Sequence, residues 1–221
     1  LAAELQSRCE GCPMTVKWKA VLMVVAGSMM MGISIDLFVQ AGFGLDPLSL
    51  FQAGLGGVLH LSLGTTSQLL MISILILLFF LDRKRIGIGT ILNSILVGTF
   101  INLFSPIICT GGGNTAAHIL CLLAGLILMG AGIGLYVAAG LGEAGMDALM
   151  IYLSQRLKKN VNTTRRVMDI ILAATGFLLG GKMGAATVIS MLVNGSIIQF
   201  TIELIGRIRI RRRRNIGTQI L

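Results

Sequence analysis

Long apolar runs, separated by short clusters of basic residues, leave this chain few ways to fold. Six runs stand out, at 18–39, 65–81, 86–107, 115–138, 164–179 and 184–205. Only 12% of the 221 residues are charged, and the mean hydropathy is +0.89. A soluble domain carries roughly 25% charged residues, so this chain cannot cover a water-facing surface of its size. The apolar surface must face lipid, and most runs meet or approach the roughly 20 residues that a spanning helix needs. The fold class expected is an all-α membrane protein.

The net charge of +9 does not point to nucleic acid, because the 18 Lys and Arg sit in short clusters between the runs or at their ends. Arg8, Lys17 and Lys19 lie before or at the start of the first run, and Arg83, Lys84 and Arg85 follow the second. Arg156, Lys158, Lys159, Arg165 and Arg166 form a third cluster. Lys182 stands alone, and the tail from Arg207 to Arg214 is the densest. Basic clusters flanking apolar spans mark cytoplasmic loops. The partner expected is the lipid bilayer, with the tail also suited to anionic headgroups.

The second constraint is internal similarity. Residues 37–44, LFVQAGFG, align with 135–142, LYVAAGLG, at an offset of 98, as does Gly64-Thr65-Thr66 with Asn162-Thr163-Thr164. After a one-residue gap, Gly87, Thr90 and Gly98 meet Gly184, Thr187 and Gly195. The chain therefore divides into a repeat at 16–107, a glycine-rich linker at 108–114 and a repeat at 115–206. Residues 1–15 read as an extension without fixed structure, and 207–221 as a basic cytoplasmic tail. Each half has a long run, a Gly-x-Gly break, a short helix (47–61 or 145–157) and two further runs.

At 1.5 Å per residue the short helices reach only about 20 Å, less than a hydrocarbon core of about 30 Å. If they cross, there are eight spans, and Arg83, Lys84, Arg85 and Lys182 lie outside. If they do not, there are six spans and two re-entrant or interfacial helices, and only Lys182 lies outside. The positive-inside rule favours six spans, hence inverted repeats with both termini cytoplasmic.

Irregular backbone at membrane depth is tolerated only where protein or water covers it. Paired broken segments at matching positions are a pointer to a transporter site. The candidate substrate-binding residues are thus Gly42, Gly44 and Asp46 in one half and Gly140, Gly142, Glu143 and Asp147 in the other. Asp46, Glu143 and Asp147 are expected to face a shared cavity. The alternative is a pair of surface turns capped by Asp46 and Glu143.

The polar intramembrane candidates are Asp36, Asn93, Asp169 and Asn194. Asp36 is placed near the outer interface, and Asp169 is expected to pair with Arg165 and Arg166 a turn away. Glu203 is expected to snorkel to the Arg tail. Asn93, Asn102, Asn194 and Gln199 read first as hydrogen-bonding glue between helices. Asp46, Ser49, Gln52 and Gly56 form a polar stripe on the first short helix, and Asp147, Ser154 and Lys158 a weaker one on the second. These stripes either line a solute path or face water. Gly98-Thr99 and Gly195-Ser196 offer close helix approach.

Several chemistries find no support. Cys9 and Cys12 form a lone pair with no second pair or histidine beside it, and Cys109 and Cys121 read as packing residues. Gly87-Ile88-Gly89-Thr90 lacks the strand and glycine pattern of a nucleotide fingerprint. His60 and His118 cannot build a metal centre alone. No nucleophile–base set is visible, so neither an enzyme nor a cofactor is expected.

The segments GLYVAAGLGEAGMDALMIYL and NTTRRVMDIILAATGFLLGGKMGAATVISMLVNGSIIQF, with their first-half counterparts, resemble the YczE/YyaS/YitT-like bacterial integral membrane proteins over about residues 16–206. The first half departs from that pattern, with Arg83-Lys84-Arg85 in place of a Gly-Gly pair. The resemblance implies a bacterial plasma membrane location and brings no reaction or ligand. From the residues, the leading expectation is a transporter of a small solute held between the halves. A non-transporting scaffold or regulator is the alternative, and a homo-oligomer is compatible with either.

Overall fold

A computed structural model describes residues 14–108 and 114–217, with side chains from 18 to 206 except Lys84 and Asn162. Cys9, Cys12, Cys109, most of the linker and the end of the tail lie outside the described residues. Eight α-helices make up the described chain, with no strand among its residues. They are α1 (Met14–Ala41), α2 (Pro47–Leu59), α3 (Leu63–Leu81), α4 (Ile88–Phe104), α5 (Thr115–Ala139), α6 (Gly145–Arg156), α7 (Val161–Leu178) and α8 (Ala185–Gly217). A single 3-10 turn, Arg83–Arg85, joins α3 to α4.

Local chemistry sets the limits of these helices. Asp46 caps α2 by accepting from the Ser49 amide, and Pro47 fills the first helical position, where a missing N–H costs nothing. Ser62 caps α3 through the Thr65 amide. Gly140 ends α5 in the left-handed region, at φ 68°. The helix α8 runs on into the basic tail, well past the end of its apolar part at Gly206.

The surface of the bundle is apolar, unlike that of a soluble protein, and many polar side chains lie inside among the core hydrophobics. Ser28, Ser34, Asp36, Gln52, Asn93 and Thr187 are buried, while Phe80, Leu178 and Leu192 are at least three-quarters exposed. Such a surface is stable against hydrocarbon and not against water. Four helices, with apolar stretches Trp18–Ala41, Leu63–Leu81, Thr115–Ala139 and Ala185–Gly206, are long and apolar enough to cross a bilayer. Two runs read as spans fall short of that standard. The apolar helix α4 has 17 residues, and α7 carries Arg165, Arg166 and Asp169. This is an all-α membrane protein.

The register of contacts fixes helix directions. A Cβ at Gly27 would sit 2.7 Å from the Gly132 carbonyl oxygen, while Ser34 Oγ donates to the Gly125 carbonyl at 2.8 Å. One number rises as the other falls, so α1 and α5 cross antiparallel. Ser28 Oγ donates to Asn93 Oδ1 at 2.9 Å, and a Cβ at Gly32 would sit 2.7 Å from Phe100 Cβ. Here the numbers rise together, so α1 and α4 run in the same direction. Gly130 meets Ile197 and Gly134 meets Thr201, so α5 and α8 also run in the same direction.

The two breaks are held by the opposite half. The Gly89 amide donates to the Leu141 carbonyl at 2.9 Å, and the Ala186 amide donates to the Phe43 carbonyl at 3.0 Å. The first turn of a helix has amides without intrahelical acceptors, and each break supplies one to the last helix of the other half. Gly44 (φ 104°) and Gly142 (φ 126°) adopt backbone that only glycine takes without strain. They also lie against Gly184 and Gly87, where neither side has room for a Cβ.

Candidate functional site

A cavity of about 470 Å³ lies between the halves. The short helices α2 and α6 both start at it, bringing Asp46, Ser49 and Gln52 from one and Asp147 from the other. From α7 come Arg165, Arg166 and Asp169; from α4 and α8 come Asn93, Ser190 and Asn194. Tyr136 of α5 closes one wall and donates to the Gly142 carbonyl at 3.2 Å. Seven of the chain's 12 methionines line the same space.

The sequence-derived candidates separate into three groups. Asp46, Asn93, Asp147, Asp169 and Asn194 meet at this cavity. Gly42 and Gly44 line a second cavity of about 400 Å³, beside Lys182 and the Gly180-Gly181 turn. Gly140, Gly142 and Glu143 lie in the break that braces α4. Glu143 is not in the shared cavity wall. Its carboxylate accepts from Arg85 at 3.3 Å, and Arg85 also binds Asp82 at 2.9 Å and Gln155 at 2.6 Å. Burial pushes the Glu143 carboxyl above its ordinary range, with the Arg85 charge opposing the shift. Arg85 therefore supplies the cation that ties the second half's break to the first.

Other expectations are corrected in detail. Asp36 is only 3% exposed and lies within the bundle, with one carboxylate oxygen buried and unpaired. Arg165 spends its ion pair on Asp147 of α6, at 3.8 Å, and not on Asp169 of its own helix. Asn93 and Asn102 do join helices, the latter through Ser62 at 2.8 Å. Asn194 does not, since its Oδ1 is buried without a partner. Glu203 accepts from Gln199 at 3.3 Å, while the side chains of the Arg tail lie outside the described residues. Lys158 follows α6 in the left-handed region, at φ 51°, and so leaves the stripe assigned to it.

One difference between the halves bears on access. Between α3 and α4, Gly64 and Gly98 are in backbone contact, and Gln68 Nε2 donates to Thr99 Oγ1 at 2.8 Å. Between α7 and α8 there is little contact, and a Cβ at Gly195 would meet nothing within 4 Å. Arg166, Gly195 and Ser196 instead line the cavity along that seam. Sequence reasoning marked Gly195-Ser196 as a packing point, but not the gap there or the methionine wall. No local signal locates either, because the seven methionines come from six different helices.

Residues 18–203 match a family of unknown function, DUF6198. The chain belongs to this family. An uncharacterized protein of Haemophilus influenzae is 31% identical over 195 residues, covering 88% of each chain. The uncharacterized membrane protein YczE of Bacillus subtilis is 28% identical over 178 residues, covering 80% of this chain and 82% of its own. The uncharacterized protein YyaS of the same bacterium is 20% identical over 183 residues, covering 82% and 91%. These relatives agree with the resemblance read from the sequence. No solved structure matches this family member.

Proposed function

We propose that this protein is a transporter of a small solute in the bacterial plasma membrane, with its site in the cavity between two homologous, inverted halves. One observation carries the reading: both short helices begin at a single cavity and deliver Asp46 and Asp147 to it. An ionisable residue at membrane depth is expensive to keep, so it is a functional candidate by default.

The repeat is supported by contacts that its offsets interchange. Adding 98 turns Gly27 into Gly125 and Ser34 into Gly132, so the two α1–α5 contacts exchange. The pair Gly32–Phe100 maps likewise onto Gly130–Ile197, and Leu141–Gly89 corresponds to Phe43–Ala186. The helix directions support six spans. Antiparallel α1 and α5 suit inverted halves, and codirectional α1 and α4 suit an uncrossed α2. Eight spans would make α1 and α4 antiparallel.

The asymmetric seams support alternating access. The α3–α4 seam is closed through Gln68 and Thr99, and their counterparts in the second half are Arg166 and Ser196, on the open seam. Exchange of the two conformations between the halves would open the cavity to each face in turn. The test is a single cysteine at Met146, a cavity-lining position, in a cysteine-free background. An impermeant thiol reagent should reach it from either membrane face. Reaction from one face only, or neither, would favour the scaffold reading.

A further inference from the structure

The cavity contains more hydrogen-bond acceptors than the protein satisfies. Asp46 Oδ1, Gln52 Oε1 and Asn194 Oδ1 are buried without a partner, and all three residues line this space. Gln52 is only 2% exposed and Asp46 9%. A buried unpaired acceptor is costly, so such groups call for a donor that arrives with a ligand. Asp46 matters most, because a carboxylate has no donor face to rotate into place, whereas the two amides do.

Charge points the same way. The cavity wall carries three carboxylates (Asp46, Asp147 and Asp169) against two guanidiniums, Arg165 and Arg166. Arg165 is engaged with Asp147. The positive ends of both short helices are already countered by their own acids, with Asp46 capping α2 and Asp147 in the first turn of α6. Neither helix start is left to hold an anion. The remaining wall is apolar and soft. Met31, Met71, Met129 and Met150 surround it with unbranched thioethers, which adapt to ligand bodies of different shape.

We infer that the cavity takes an amphipathic organic cation whose ammonium or amidinium N–H groups bond Asp46 and Gln52 and whose apolar body lies among the methionines. This rests on the transporter reading for its site and adds the substrate class. A headgroup without N–H donors satisfies the charge but not the unpaired oxygens, so it binds less well. An anion meets the Asp46 carboxylate and binds least.

The test is equilibrium binding of radiolabelled phenethylammonium to the full chain in lipid nanodiscs. Its N,N,N-trimethyl analogue and phenylacetate serve as competitors. Phenethylammonium should bind, the trimethyl analogue should compete at least about tenfold more weakly, and phenylacetate should not compete. Asp46→Asn should lower affinity at least about tenfold, and this variant keeps the fold because Asn caps a helix as well as Asp. Gln52→Met, similar in volume and without the acceptor, should lower affinity severalfold. Absence of phenethylammonium binding, or binding unchanged in both variants, overturns the cation assignment. So does competition by phenylacetate equal to or better than the ammonium. The transporter reading fails separately, through the accessibility of the Met146 cysteine, which needs no ligand.

Discussion

Replacing Gly44 with alanine should destabilise this protein far more than the same change two residues earlier. At Gly44 the backbone has φ 104°, and an added Cβ would sit 2.5 Å from the Gly184 nitrogen and 2.9 Å from its Cα. Both are backbone atoms and cannot rotate away. Backbone strain of this kind costs about 1–3 kcal/mol, and forcing apart a packed contact costs about 1–3 kcal/mol more. The sum, about 2–6 kcal/mol, corresponds to a fall of at least about 4 °C in the unfolding midpoint of a chain this size. Gly42 also has positive φ, at 70°, but a Cβ there meets nothing within 4 Å. Gly42→Ala should therefore cost only the left-handed penalty, about 1–2 kcal/mol. Gly57 is helical with open space around it, so Gly57→Ala should be neutral or stabilise by about 0.5–1 kcal/mol. Thermal unfolding of the three purified variants in one detergent gives the order directly. Equal midpoints for Gly44→Ala and Gly42→Ala would refute the claim that the break is docked on Gly184.

Three further outcomes are expected. Ser28→Ala leaves the Asn93 acceptor buried and unpaired, and should cost about 1–3 kcal/mol of stability in the same unfolding assay. Arg85→Gln removes the cation from the half-buried Glu143, whose carboxyl is already pushed upward by burial. A carboxylate with a raised folded-state pKa favours the fold at low pH and loses that contribution as pH rises, so the variant should lose more stability at pH 8 than at pH 5. Adding Glu143→Gln should remove that pH dependence. Single cysteines at Lys84, Lys158 and Lys182 in intact cells should react with an impermeant thiol reagent only at 182, and reaction at 84 would restore the eight-span arrangement.

The helices were legible in the sequence because local signals end them. Asp46-Pro47 sets the start of α2, and the Gly42 and Gly140 turns stop α1 and α5. The candidate site was legible only where a residue's position along the chain decides its surroundings. Asp46 caps α2 and Asp147 lies in the first turn of α6, so the starts of the two short helices carry both acids to one cavity. Glu143 was misread because its partner, Arg85, lies 58 residues away, and no local spacing announces that pair. Asp36 was read only by its distance along the run, which says nothing of its near-complete burial inside the bundle. The open α7–α8 seam was hidden because Gly195 has the same composition signal as Gly98 and differs only in what packs against it.

The most direct test of an exchange between the halves is to lock the closed seam. Cysteines replacing Gln68 and Thr99, whose side-chain tips meet at 2.8 Å, should be bridged across α3 and α4 by a short bifunctional methanethiosulfonate. If the cavity opens to each face by trading this seam for the one between α7 and α8, the Met146 cysteine should then react from one membrane face only. Reduction of the cross-link should restore reaction from both. Unchanged two-sided reaction in the cross-linked protein would contradict alternating access through these seams.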